Sequence, residues 1–166
     1  MQRLYNMTSF DSARFRSACS TYPTGVAIVT TRSAAGRPIG LTINSFTSLS
    51  LDPPLILWNV ATSSSCHDAF AAAEHFAVHV LHAGQEDLSR RFASRNPDRF
   101  AGVVLEEGIG GIPVLVDFQA RLQCTRQARL DGGDHSILIG QVAHIDLLDY
   151  EPLIFFRGRY RALGSS

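Results

Sequence analysis

The sequence predicts a mainly β protein: one antiparallel barrel with a few flanking helices. Short apolar and β-branched runs recur at irregular intervals and are separated by turn residues. Helical patterns are few and do not alternate with the strands, which disfavours a doubly wound parallel sheet. The 166 residues suit a single hydrophobic core. Because no linker or repeat interrupts them, we treat 1–166 as one domain with a core of about 10–163.

The first element is a helix that begins near a capping-box pattern formed by Thr8 and Asp11. Pro23 ends it. Its apolar residues recur at the spacing of one helical face. They are expected to be buried and are Phe15, Ala18, Cys19 and Tyr22.

The strands follow in order. Val26 to Thr31 is β-branched, and a turn at 35–38 suggests a hairpin with a strand from Ile39. The remaining predicted elements are a buried strand at Leu55–Val60, a helix at Cys66–Ala73, a strand at Phe76–Leu81, a helix at Gln85–Ser94, a mostly loop region over 101–117, a half-buried strand at Phe118–Cys124, and strands at Ser136–Leu147 and Leu153–Phe156.

Composition excludes several function classes. Fifteen Lys and Arg balance fifteen Asp and Glu, and no basic run is present, so neither a nucleic acid nor a membrane surface is an expected partner. No apolar run reaches the ~20 residues that span a bilayer, and the N-terminus lacks a signal-peptide pattern. The three cysteines form no disulfide or zinc pattern. These observations favour a cytoplasmic protein with reduced thiols.

The segment Gly40–Pro54 is unusually rich in polar side chains. Five hydroxyls fall within the nine residues 42–50, beside the amide of Asn44. A plain strand does not need them, whereas a flat ligand rich in heteroatoms does.

Five segments in register resemble the flavin reductase family, and they span about residues 10–163. They are Pro23–Thr31, Gly40–Pro54, Phe76–Leu81 with Gln85, Leu88 and Arg91–Ala93, Gly133–His135 with Gly140–Val142, and Pro152–Leu153 with Tyr160.

The resemblance implies an FMN-binding split β-barrel, which is a Greek-key antiparallel barrel. It also implies a homodimer that reduces FMN or FAD with NADH or NADPH as co-substrate, and that supplies reduced flavin to a partner monooxygenase. FMN and FAD share the ring and the first phosphate, so the motifs fit both. They also fit a flavin held as a prosthetic group or passed on as a substrate. The alternative function is a flavin-binding electron carrier or flavin store. An oxidase acting on a pyridoxal-like substrate would require a second basic phosphate site, for which no cluster is well placed.

The resemblance places Thr42, Asn44, Ser45 and Phe46 along the flavin ring and its ribityl chain. Their amide and hydroxyl groups can bond O2, N3, O4 and N5 of the ring. Alternatively, Thr42 and Asn44 bond local backbone. Ser48 is equally compatible with ligand binding and with a solvated face.

Ser63, Ser64 and Ser65 precede a helix, and a flavin phosphate fits a helix N-terminus. The resemblance places Arg91 near the flavin phosphate or the ring, and a guanidinium can bind a phosphate. Helix capping and a solvated arginine are the alternatives. Phe92 would flank the ring or belong to the core.

The nicotinamide side of the ring is assigned to His135, the candidate catalytic residue, which could contact a ring or supply a proton. A turn histidine bonded to backbone is the alternative. Tyr160 could meet the dinucleotide.

Two further patterns are rejected. Cys66, His67 and Asp68 resemble a nucleophile, base and orienter, but neighbouring helix residues point in different directions. No metal site is expected, because His79 has no paired second ligand.

Overall fold

The computed structural model describes residues 11–163. The predicted capping box at Thr8 lies outside these residues, but Asp11 is the N-cap of the first helix and accepts a hydrogen bond from the Ala13 amide. The helices are α1 (Ser12–Cys19), α2 (His67–Ala72) and α3 (Glu86–Ala93). Short 3₁₀ turns lie at Ala83–Gln85 and Ile109–Gly111.

The strands make up most of the regular structure. They are β1 (Thr24–Gly25), β2 (Ala27–Arg32), β3 (Pro38–Ile43), β4 (Thr47–Leu51), β5 (Pro54–Ala61), β6 (His75–Val80), β7 (Leu105–Glu107), β8 (Pro113–Leu115), β9 (Ala120–Asp131), β10 (His135–Leu147), β11 (Ile154–Phe156) and β12 (Arg159–Arg161). Seven of them form one antiparallel sheet in the order β3-β2-β6-β9-β10-β5-β4. This confirms the predicted mainly β class.

The connection between β3 and β4 forces this sheet to curl. These strands form opposite edges of the sheet, yet only residues 44–46 separate them. Three residues can span at most about 14 Å from Ile43 to Thr47. A flat sheet of seven strands would hold its edges about 29 Å apart. The sheet therefore closes on itself as a barrel, and the split lies between β3 and β4, beside Asn44.

The barrel is packed on both of its faces. In β2, Ala27 and Val29 point into the barrel interior, whereas Ile28 points to the layer beneath α3. Trp58 fills the interior and makes edge-to-face contacts with Phe70 and Phe76, at centroid distances of 4.9 and 5.7 Å. Gly140 is required beside this cluster, because a Cβ atom there would clash with the Phe76 ring.

Two small sheets complete the fold. β1, β11 and β12 form one of them, and β7 pairs with β8 in the other. β11 and β12 are joined by Arg157 and Gly158, whose φ angles of 49° and 75° are both positive. Positive φ at both central residues is typical of a type I′ hairpin turn.

Several local predictions were wrong. Residues 101–117 were expected to be mostly loop, and the short strands β7 and β8 within them were not identified. Phe15 and Tyr22 were expected to be buried, but they are 56% and 74% exposed, and no residue of α1 is buried. Tyr22 lies beyond the end of the helix, so the apolar spacing did not describe one packed face.

Candidate functional site

Three adjoining cavities meet at Asn44, next to the split in the barrel. Their volumes are about 240, 180 and 220 Å³, and Asn44 lines all three. Its side chain is exposed and makes no hydrogen bond within residues 11–163. An amide with free donors and acceptors, placed between three cavities, is suited to bind a polar ligand.

The wall of the 180 Å³ cavity is built from β3, α3 and the β11–β12 hairpin. Thr42, Ala93, Phe155 and Tyr160 line it. We call it the ring cavity. Fully buried Ser89 ties its walls together: its hydroxyl bonds the Tyr160 hydroxyl at 2.8 Å, and its carbonyl accepts from Thr42 Oγ1 at 2.7 Å.

The predicted ring-binding residues therefore differ in whether their side chains remain available to hydrogen-bond a ligand. The Thr42 hydroxyl donates to the Ser89 carbonyl on α3, which is distant in the sequence and not the local backbone of the alternative interpretation. The Ser45 hydroxyl accepts from the Asn59 amide at 3.0 Å, which fixes the 44–46 connection against β5. Asn44 remains free. Phe46 packs against the barrel interior and lines the 240 Å³ cavity, and Ser48 is exposed on β4.

His135 begins β10 and is 44% exposed in its side chain. Its Nδ1 lies 2.7 Å from Asp134 Oδ1, and this hydrogen bond lowers the pKa of the Asp134 carboxyl. His135 pairs with Ala61 on β5, two residues from Asn59, whose amide bonds the Ser45 hydroxyl next to Asn44. The turn that carries His135 therefore lies on the same side of the molecule as Asn44.

The three serines precede α2, but the cap differs from the expected one. The Ser64 hydroxyl accepts from the Cys66 amide at 3.2 Å, while Ser63 and Ser65 are exposed. Ser65 lines a separate cavity of about 280 Å³ with Arg95 and Arg99. We call it the arginine cavity.

Arg99 is the better placed guanidinium for a phosphate near these serines. Its Nη1 donates to the Gly40 carbonyl at 2.8 Å and to Cys66 Sγ at 3.0 Å. Its Nε is buried and has no hydrogen-bond partner among the described residues. Such an unpartnered donor is consistent with an anion site.

Arg91 and Phe92 lie away from the ring cavity. Arg91 donates to the Ala101 carbonyl at 2.7 Å and lines a cavity of about 370 Å³ with Asp87 and Asp117. Phe92 is fully buried and packs edge-to-face on Phe100 at 4.8 Å. The structure thus brings neither residue together with Asn44 or with Ser65.

Sequence reasoning missed three residues of these walls: Ser89, Phe155 and Arg16. Arg99 was noticed only as one of several clustered arginines able to hold a phosphate. Ser89 lies three residues before Phe92 and four before Ala93, so a helical projection of the Gln85–Ser94 segment was the signal that could have found it. Arg99 follows a Pro-Asp turn and had no periodic signal.

The rejected Cys66-His67-Asp68 pattern forms only one contact among its own side chains. His67 Nδ1 does contact Asp68 Oδ1 at 3.0 Å, and His67 Nε2 contacts Ser136 Oγ at 3.0 Å. The His67 and Asp68 side chains therefore meet, although they are neighbours in the sequence. Cys66 Sγ bonds Gly40 and Arg99 instead, so the three residues are not aligned.

The chain is similar to known proteins along nearly its whole length. Residues 19–164 match the family model described as a flavin reductase like domain. The chain belongs to the flavin reductase family. This confirms the predicted family.

Two curated relatives illustrate the range of this family. The chain is 47% identical over 150 residues to FMN reductase (NADH) SmoA of Agrobacterium fabrum, covering 90% of this chain and 85% of that protein. It is 41% identical to the reductase component of the flavin-dependent trigonelline monooxygenase of Acinetobacter baylyi, covering 87% of this chain but only 47% of that protein. The chain thus spans about half the length of some family members.

One similar solved structure contains ligands. NADH:FAD oxidoreductase SgcE6 of Streptomyces globisporus, in complex with NAD and FAD fragments, superposes with a TM-score of 0.87 at 37% identity and covers 93% of each chain. The similarity supports the split-barrel assignment.

No helix in 11–163 is long and apolar enough to cross a membrane. No group of three or more His, Cys, Asp or Glu side chains in that range could hold a metal ion.

Proposed function

We propose that the chain is an NAD(P)H-dependent flavin reductase that transfers hydride from a nicotinamide to FMN or FAD. The position of Asn44 supports this most directly: a free amide stands where three cavities meet at an open barrel edge. The relatives agree, since their names are NADH-dependent FMN reductase and reductase components of monooxygenases. No separate observation favours a carrier or store without turnover.

The described residues fit a flavin. Asn44 can pair with the polar edge of the isoalloxazine, and the unpaired edges of β3 and β4 offer backbone groups beside it. Tyr160 and Phe155 supply aromatic walls. When bound, the flavin accepts hydride at N5, and the protein contributes position and electrostatics.

The other predicted site residues have distinct roles in this proposal. Thr42 and Ser45 hold the backbone on either side of Asn44, and Phe46 and Ser48 continue the same surface into β4. Ser63, Ser64 and Ser65 offer hydroxyls for the phosphate, with Arg99 in place of Arg91 as the cation. Phe92 is a core residue on the buried face of α3.

His135 is proposed to contact the nicotinamide or to hold a proton at its ring nitrogen. Asp134 accepts from Nδ1, which fixes the tautomer and leaves Nε2 toward solvent. In this arrangement, His135 would help to hold the nicotinamide against the flavin when both are bound.

We also propose a homodimer in the cytoplasm that supplies reduced flavin to a monooxygenase. The trigonelline enzyme is named as a reductase component, which supports the partner class. Exposed apolar side chains on β10 and beyond it, including Leu147, provide a surface for a second copy.

The activity is tested by mixing the purified protein with FMN or FAD and adding NADH or NADPH anaerobically. We expect the visible absorption of the oxidised flavin to bleach with at least one pair. Persistence of the oxidised spectrum with every pair would contradict the reductase.

His135→Ala separates turnover from flavin binding. We expect kcat/KM for the nicotinamide to fall ~10²-fold, in the range of lost acid–base or positioning contributions. Flavin affinity, measured by fluorescence quenching, should change less than about twofold. His144→Ala, an exposed histidine on the same strand, is the matched control and should retain activity. Equal effects of both variants would remove His135 from the site.

A further inference from the structure

The turn over residues 131–135 carries His135 but has little stiffness of its own. It contains Gly132 and Gly133, and Gly133 has a φ angle of 78°. Glycine leaves the backbone more freedom than any other residue. Within the turn, the Gly132 amide donates to the His135 carbonyl at 2.9 Å. A fixed position for the His135 side chain therefore needs further contacts from outside the turn.

Thr62, which follows β5, supplies the first of these contacts. Its backbone amide and its hydroxyl both donate to the Asp134 carbonyl, at 2.9 and 3.1 Å. That carbonyl belongs to the peptide group that joins Asp134 to His135, and a peptide group is planar. Holding its oxygen therefore restricts the backbone on the N-terminal side of His135. Asp134 Oδ1 also accepts from His135 Nδ1 at 2.7 Å, so Thr62 restrains the residue that orients the imidazole.

His67 on α2 supplies the second contact, from the opposite face of β10. Its Nε2 lies 3.0 Å from the hydroxyl oxygen of Ser136, which is only 8% exposed. The Asp68 carboxylate accepts from His67 Nδ1 at 3.0 Å, so Nε2 of the neutral ring accepts from the Ser136 hydroxyl. Because successive side chains of a strand point to opposite faces, this bond anchors the strand behind His135.

The segment between these two contacts contains the serines at 63–65 that we propose for the flavin phosphate. One short stretch of chain thus reaches both the proposed phosphate site and the turn that carries His135. The Thr62 side chain is exposed, so burial does not require its hydroxyl to bond the turn. The bond to the Asp134 carbonyl therefore needs another explanation than the satisfaction of a buried polar group.

We propose that Thr62 is a positioning residue for hydride transfer and acts through His135, while His67 restrains the strand from behind. This inference rests on the proposed function, in which His135 contacts the nicotinamide. Misplacement of a reacting group by about 1 Å can lower a rate ~10²-fold, so a glycine-rich turn benefits from an external restraint. Thr62 itself needs no contact with either ring.

Thr62→Val removes the hydroxyl with little change in side-chain volume. We expect kcat/KM for NADH to fall about fivefold, the effect of losing one hydrogen bond. Thr62→Ser keeps a hydroxyl at the same position and should restore most of the activity. Ser33→Ala is the matched control, because the Ser33 hydroxyl holds a different turn by accepting from the Arg37 amide at 3.2 Å. It should retain wild-type kinetics.

A double variant shows whether Thr62 acts through His135. In the His135→Ala background, Thr62→Val should have no further effect on kcat/KM for NADH, because the group that it positions is gone. An equal loss of kcat/KM in both backgrounds would mean that Thr62 acts independently of His135. That result overturns the inference.

Flavin titrations separate positioning from a direct phosphate contact by Thr62, which is next to Ser63 in the sequence. We expect Thr62→Val to bind FMN and riboflavin as the wild-type protein does, measured by fluorescence quenching. Weaker binding of FMN with unchanged binding of riboflavin would assign Thr62 to the phosphate site instead, which overturns the inference.

The imidazole of His135 gives a readout that needs no turnover. In heteronuclear NMR spectra of the ligand-free protein, Thr62→Val should shift the ring resonances of His135, whereas Thr62→Ser and Ser33→Ala should leave them in place. Unchanged ring resonances in Thr62→Val contradict the inference. A wild-type protein that bleaches no flavin would overturn the proposed function instead, while the ring resonances would still report whether Thr62 holds His135.

Discussion

His79 shows what full burial does to a single residue. It lies on β6, its Nδ1 donates to the Ile28 carbonyl at 3.1 Å, and its Nε2 accepts from the Leu115 amide at 3.1 Å. Burial lowers the pKa of His79 to about 3. The imidazole is therefore neutral in the native protein and joins β2 to the end of β8.

This burial predicts a pH-dependent stability. In the unfolded chain, His79 binds a proton as the pH falls below about 6.5. In the native protein, it binds one only near pH 3. The free energy of unfolding therefore decreases as the pH falls between these two values. Between pH 7 and pH 5 the loss from this group should be about 2 kcal/mol.

Urea unfolding at pH 7 and at pH 5 measures this loss in the free energy of unfolding. His79→Gln should lower stability at pH 7 and remove this part of the pH dependence. His144→Gln is the control, because His144 is exposed. An unchanged pH dependence in His79→Gln would contradict the argument.

At the scale of elements, α3 and the β11–β12 hairpin are joined by one buried hydrogen bond. Ser89→Ala removes the partner of the Tyr160 hydroxyl. We expect a loss of about 1 kcal/mol in unfolding free energy and a severalfold rise in KM for flavin, because the wall of the ring cavity loosens.

Tyr160→Phe removes the same bond from the other side. The double variant should therefore be less destabilised than the sum of the two single variants, by about 1 kcal/mol in chemical denaturation. Strict additivity would show that the two hydroxyls are not coupled.

The elements with strong local patterns were predicted well from the sequence. β2, β5, β6 and β10 were found within about two residues, because β-branched and apolar runs bounded by turns are local signals. β4 was not recognised as a separate strand, since its hydroxyls suggested ligand binding. β7 and β8 were missed because glycines obscure their short apolar runs.

The site was predicted less completely than the fold. Thr42 to Phe46 could be selected because they are contiguous, and Asn44 does stand at the cavities. Whether Arg91 or Arg99 meets the serines depends on which face of α3 and of the following loop packs against β3. Such long-range packing is not encoded in the local sequence pattern. The roles of these residues stay predictions.

At the scale of the whole molecule, the apolar surface is concentrated around the end of β10. Ile145 and Leu147 point outward, while Asp146 between them turns to Arg121 at 2.8 Å. Leu148 and Tyr150 extend this patch. We call these four apolar residues the β10 patch. An exposed apolar surface of this kind is typical of a subunit interface.

The β10 patch predicts the assembly state. We expect the wild-type protein to elute with twice the mass of its 18.1 kDa chain in size-exclusion chromatography with light scattering. Leu147→Asp should shift it toward the monomer, because a carboxylate would be buried unpaired. Val104→Asp is the control, on an exposed apolar residue beside Arg91. A dimer that tolerates Leu147→Asp would place the interface elsewhere.

The short connection between β3 and β4 also constrains how this fold can diversify. Three residues hold the two open edges within a fixed distance, so substitutions along either strand can alter affinity but cannot widen the mouth between them. Admitting a bulkier ring would require added residues between Ile43 and Thr47. The length of this segment, more than its composition, therefore sets the largest ligand that the barrel can accept.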